Sequence, residues 1–198
     1  GEGEKTFLEC AQRLMNGGDL ENIPGLFLLR TGGRANFTPR TPLTNEEFNN
    51  LPQPAMDGLR PDIYRWGFWK KCRAIITSRG CPHRCNFCSV WKMNPGVRML
   101  KPEAVVDMIA NIPTSHVAII DDNFFVSESR AFEIARMLLR KGVKKNYMAQ
   151  IRTDSASNSK LMGVWKKAGL EVVVMGLEFV EKARLDFVNK RSVPETNI

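Results

Sequence analysis

The segment SRGCPHRCNFCSVWK sets Cys81, Cys85 and Cys88 at the spacing Cys-x3-Cys-x2-Cys, with Phe87 just before the last of them. Three thiolates on one short loop can hold three corners of an iron–sulfur cube and leave the fourth iron without a protein ligand. An iron open to a small molecule points to chemistry rather than to electron storage alone. A structural zinc site wants four ligands, as two Cys-x2-Cys pairs or as cysteines followed by paired histidines. The two histidines, His83 and His116, begin no such pair. Five cysteines is an odd number for a disulfide framework, and no secretory leader is visible. Cys10, in a helical pattern, and Cys72, just before a strand, read as buried small hydrophobic residues.

The elements that must carry this loop are regular from residue 74 onward. AIITS reads as a strand leading directly into the cysteines. KPEAVVDMIANI reads as a helix with Pro102 in its first turn and an apolar stripe of Ala104, Val105, Met108, Ile109 and Ile112. HVAIID is a buried strand. SESRAFEIARMLLRKG is a helix capped by Ser127 and ended by Gly142. YMAQIR is a strand, NSKLMGVWKKAG a helix stopped at Gly169, EVVVMGL a fourth strand and EKARLDFVNK a weaker helix. Strands alternating with helices through short connections predict an α/β fold with a parallel sheet, either a barrel or an open doubly wound sheet. Ligands collect at the C-terminal strand ends of both. Besides the cysteines, those ends carry Asp121, Asp122 and Asn123, then Arg152, Thr153 and Asp154, then Glu178.

The first third reads differently. Residues 4–16 predict a helix ending at Gly17-Gly18, and two apolar stretches around Thr31-Gly32-Gly33 predict a hairpin. Pro39, Pro42, Pro52, Pro54 and Pro61 mark a linker. Tyr64, Trp66, Phe68 and Trp69 beside lysines could stack on bases, but packing across the start of the next domain is the preferred reading. Residues 1–70 carry eight Lys and Arg against nine Asp and Glu, whereas residues 71–198 carry twenty-one against twelve. The basic excess falls where helices end, which favours a solvated surface over a nucleic-acid footprint. At 198 residues and 43% hydrophobic the chain can build a core, its apolar runs are too short to span a membrane, and the cytoplasm is the expected compartment.

Cys-x3-Cys-x-aromatic-Cys after a first strand, followed by repeating βα units, resembles the radical S-adenosylmethionine (SAM) enzymes. The resemblance covers residues 74–198. It implies a [4Fe–4S] cluster on Cys81, Cys85 and Cys88, with the amine and carboxylate of SAM on the open iron. Reductive cleavage to a 5′-deoxyadenosyl radical is the implied activity, with the electron supplied by a donor such as flavodoxin or ferredoxin. It places Phe87 near the adenine and sets Asp121-Asp122-Asn123 where the family often has a Gly-Gly-Glu-like motif for the methionine amine. It assigns Arg152 to the SAM carboxylate and Glu178 to ribose hydroxyls or a nearby polar network. Phe179 stands where a serine is common.

A narrower resemblance covers the whole chain. Gly1-Glu2-Gly3-Glu4, IPGLFLL with its glycine turn, LPQPA and IIDDNF are similar to the radical SAM subclass with an N-terminal cobalamin-binding domain. It implies that 1–38 is the C-terminal remnant of such a domain, 39–70 a proline-rich linker and 71–198 the N-terminal part of the catalytic domain. The family's partial barrel has six strands and four are legible here, so a fragment is expected, with cobalamin belonging to the full-length protein. The implied reaction is methyl transfer or ring formation on a small molecule. Two alternatives stand beside it: a tRNA-modifying radical SAM enzyme, and a non-catalytic iron–sulfur or zinc-binding module.

Overall fold

The computed structural model describes residues 2–29, 32–33, 35–60 and 62–190. Gly1, Thr31 and Pro61 of the patterns above lie outside the described residues. The chain divides into two compact units, residues 1–44 and 45–198.

In the first unit, helix α1 (Glu4–Met15) is followed by strands β1 (Phe27–Leu29) and β2 (Ala35–Phe37), which pair antiparallel as a hairpin. The buried Thr6 hydroxyl donates to the Pro24 carbonyl at 2.8 Å, and Arg40 reaches both Pro24 and Glu9, the latter at 2.6 Å. Arg40 holds the Glu9 carboxyl below its ordinary range. Cys10 is half-buried rather than buried.

The second unit opens with a short helix that the proline run concealed, α2 (Asn45–Asn49). A tight hairpin of β3 (Arg65–Trp66) and β4 (Trp69–Lys70) follows. Next come β5 (Cys72–Ile75), β6 (Ser78–Arg79), α3 (Val90–Met93), β7 (Arg98–Met99), α4 (Pro102–Asn111) and β8 (His116–Ile119). A single 3-10 turn at Phe124–Val126 leads to α5 (Glu128–Arg140) and β9 (Asn146–Gln150). The described part ends with α6 (Thr153–Ala156), α7 (Ser159–Ala168), β10 (Leu170–Val174) and α8 (Lys182–Phe187). Ser127 and Gly169 act where their residue types indicated: Ser127 accepts from the Arg130 amide and Gly169 closes α7 at φ 114°; the structure adds Asn158, which accepts from the Leu161 amide.

β5, β8, β9 and β10 form one parallel sheet in that spatial order. Strands that neighbour each other in chain order, with no reversal, are the progression of a βα barrel rather than of a doubly wound sheet. The sheet is therefore a partial barrel. Its helix-facing side supplies Ile75, Val117, Ile119, Tyr147 and Ala149 to a core shared with α4, α5 and α7. Trp165 anchors that core: it meets Phe124 edge-on at 4.9 Å and Tyr147 at 5.7 Å, and its indole N–H donates to the Ala131 carbonyl. The opposite side carries Cys72, Ala118 and Met148, covered by Trp69 from the hairpin. Trp69 also stacks on His116 at 4.9 Å. Of the four clustered aromatics only Trp69 packs at the N-terminal end of the sheet, whereas Tyr64, Trp66 and Phe68 are exposed; Cys72 is a buried packing residue. No helix among the described residues is long and apolar enough to cross a membrane.

Candidate functional site

The cysteine loop begins at the C-terminal end of β5 and is held at its neck by a two-stranded ribbon, β6 against β7. The outgoing arm is tied down by the strand-end acids. Asp121 is buried and accepts from the Thr77 amide, the Thr77 hydroxyl (2.6 Å) and the Ser78 hydroxyl (2.7 Å). Burial pushes its carboxyl up, and those hydrogen bonds pull against the shift. Arg130 from α5 donates to the Thr77 and Leu100 carbonyls, so its charge lies beside the same neck. Asp122 accepts from the Gly80 amide at 2.9 Å. The returning arm is held by α2: Asn45 accepts from the Met99 amide and Asn49 from the Lys101 amide.

Gly80 sits at the pivot. Its φ is 85°, and a Cβ there would run into the Gly96 carbonyl oxygen and lie 2.8 Å from that of Asn94. Only glycine permits both the left-handed backbone and the close return of the loop.

Within the loop, the Cys88 amide donates to the Cys85 carbonyl at 3.0 Å, and the Trp91 indole donates to that same carbonyl at 3.2 Å. These bonds keep the second and third cysteines in one tight turn. Cys85 is 7% exposed, whereas Cys81 and Cys88 are half-buried. Burial pushes the Cys81 thiol up, opposed by a backbone hydrogen bond at His83 and by the positive charge of Arg152. The structure thus brings Arg152 to the cysteine loop. Its guanidinium is braced on Asp154 at 3.1 Å and is only 10% exposed.

The remaining expected residues are distributed as follows. Asn123 is buried, and its side-chain oxygen has no hydrogen-bond partner among the described residues. Glu178 follows β10 with φ 60° and pairs with Lys190 at 3.2 Å. Phe87 is exposed, and the Lys190 ammonium lies 5.9 Å from its ring centroid. The pattern of strand ends missed the neck itself, Thr77, Ser78 and Arg130, and also Asn189 and Lys190. Only Thr77 and Ser78 carried a signal, as small hydroxyl residues between a strand and a glycine.

Among the described residues, no group of three or more His, Cys, Asp or Glu side chains gathers around a single-ion position. That arrangement is compatible with a cube, in which each thiolate goes to a different iron and the three need not converge. The donor set fits an open cluster. Three thiols share one short loop, the positive charge of Arg152 acts on Cys81, and Asn123 offers a buried acceptor.

The sequence signature described as "Radical SAM superfamily" matches residues 75–197. Over 193 residues the chain is 28% identical to the hopanoid C-3 methylase of Methylococcus capsulatus, covering 96% of this chain and 36% of that protein. An uncharacterized methyltransferase of Pyrococcus horikoshii is 28% identical over 205 residues, covering all of this chain and 43% of that one. The anaerobic magnesium-protoporphyrin IX monomethyl ester cyclase of Rubrivivax gelatinosus is also 28% identical, over 216 residues, with 37% of its length covered. The chain therefore spans well under half the length of these relatives. Among solved structures it superposes on the cobalamin-dependent SAM radical enzyme OxsB, with aqua-cobalamin and SAM bound. The TM-score is 0.73 at 21% identity, over 99% of this chain and 30% of that one. At that identity the likeness is one of fold.

Proposed function

The chain belongs to the radical SAM superfamily, and on that premise we propose that it is the cluster-bearing part of an enzyme that cleaves SAM reductively. The observation that carries this reading is the cysteine loop at the C-terminal edge of the parallel sheet, where Asp122 holds the Gly80 amide and Arg152 follows β9. Cys81, Cys85 and Cys88 would hold the [4Fe–4S] cluster. When bound, the cluster supplies the single electron that breaks a carbon–sulfur bond of SAM.

The protein's own groups do the rest. The unpartnered Asn123 oxygen accepts from the methionine ammonium, with Asp122 next to it in sequence supplying negative charge. Arg152, held rigid by Asp154, pairs with the carboxylate. Glu178 accepts from ribose hydroxyls, and Phe87 covers the adenine. Asp121 contributes through the loop, since Thr77 and Ser78 take up its carboxylate. The full-length protein adds cobalamin and transfers a methyl group or closes a ring on a small organic molecule. The methylase and cyclase names of its relatives support that assignment. A one-electron donor of the flavodoxin or ferredoxin type would supply the electron.

Anaerobic reconstitution with iron and sulfide tests the proposal. The expected result is about four irons per chain and 5′-deoxyadenosine on reduction with SAM present. Cys85→Ala should lose both. Tightly bound zinc without SAM cleavage would overturn the reading.

A further inference from the structure

The cysteine loop is gripped from outside by a segment about a hundred residues away in sequence. The Asn86 amide donates to the Val188 carbonyl at 2.9 Å, and the Asn86 side chain donates to the Phe187 carbonyl at 3.0 Å. In the reverse direction the Asn189 side chain donates to the Arg84 carbonyl at 2.8 Å. Three hydrogen bonds thus bracket Cys85 on both of its sequence neighbours. The gripping backbone is unusual: Asn189 has φ 53°, a left-handed conformation that Asn tolerates and that turns the chain back over the loop.

Lys190 completes the grip. It is 8% exposed, and its ammonium donates to the Gly176 carbonyl and to Glu178 while standing over the Phe87 ring. One buried cation therefore joins the turn after β10, the Glu178 carboxylate and the aromatic residue between Cys85 and Cys88. A lysine is costly to bury without partners, and here its partners are groups of the site itself.

We propose that Asn189 and Lys190 are positioning residues: Asn189 locks the turn that carries Cys85, and Lys190 aims Glu178 and Phe87 at the ligand. The inference rests on the reading that the three cysteines hold a cluster, but the grip exists in the polypeptide alone and can be tested without one.

The test follows alkylation of individual cysteines by mass spectrometry, in the full chain before reconstitution. Asn189→Gly removes the side chain and keeps the left-handed backbone accessible. Cys72, buried at the other end of the sheet, serves as the internal reference. Asn189→Gly is expected to speed modification of Cys85 by about fivefold or more, as loss of a loop-holding hydrogen bond permits local opening. Cys72 should keep its rate. Lys190→Met should act in the same direction, and Lys190→Arg should restore protection. An unchanged Cys85 rate overturns the proposal. A parallel rise at Cys72 also overturns it, because the residues would then support only general stability. Failure of SAM cleavage with these results intact would remove the proposed function and leave the grip standing.

Discussion

Gly80 and Gly96 both have positive φ, 85° and 77°, and both lie in the cysteine loop. They separate two costs that a glycine substitution can carry. At Gly96 a Cβ meets open space, so Gly96→Ala incurs only backbone strain, on the order of 1 kcal/mol. At Gly80 the same strain is joined by collision with the carbonyls of Asn94 and Gly96, which belong to the returning arm and cannot rotate away. Gly80→Ala is expected to displace Cys81 and to reduce reconstituted iron severalfold, whereas Gly96→Ala keeps most of it. Iron per chain, measured beside far-ultraviolet circular dichroism to confirm folding, checks the pair. Equal losses would mean that strain alone, and not the close return, makes Gly80 necessary.

The neck of the loop is a device of elements rather than of single residues. Asp121, two residues beyond the end of β8, fastens β6, while α5 brings Arg130 to the same carbonyl-rich neck. Removing the carboxylate strands two hydroxyl donors, one amide and a neighbouring buried cation. Asp121→Ala should therefore cost about 2–4 kcal/mol, the range for leaving buried donors without their acceptor. Urea denaturation of the two proteins measures it, and a change below about 1 kcal/mol would show that the network relaxes onto water. The sheet strands and the long helices were legible because periodicity and caps are local: Ser127 and Gly169 act where their types place them. The ribbon of β6 and β7 was not legible, since two-residue strands have no period to read. α2 was hidden among prolines. The grip of 187–190 on 84–86 joins residues so distant in sequence that no local pattern announces it. At the site, residue types pointed to the cysteines and to Arg152, but which strand-end acid serves the backbone emerged only from burial and hydrogen bonding.

At the scale of the molecule, the groups that shape the cysteine loop have a common origin. Asn45 and Asn49 hold the returning arm, Asp121 and Arg130 the neck, and Asn189 and Lys190 the outer turn. All lie in the unit that begins at Asn45. That unit also contains the whole parallel sheet and the apolar core around Trp165. The first unit is small, with Ile23 and Leu43 as its buried hydrophobic residues among those described, and its polar links from Thr6, Arg40 and Glu9 stay within it. A chain starting at Asn45 is therefore expected to take up iron at about the level of the longer chain, near four per chain for a cube. If the shortened chain folds by circular dichroism yet fails to bind iron, residues 1–44 contribute to the loop in a way that its hydrogen bonds do not reveal. A start at Asn50 should fare worse, because it deletes the two asparagines that hold the Met99 and Lys101 amides and releases the returning arm of the loop. The comparison of the two starts distinguishes a site built by one unit from a site that only needs a longer chain.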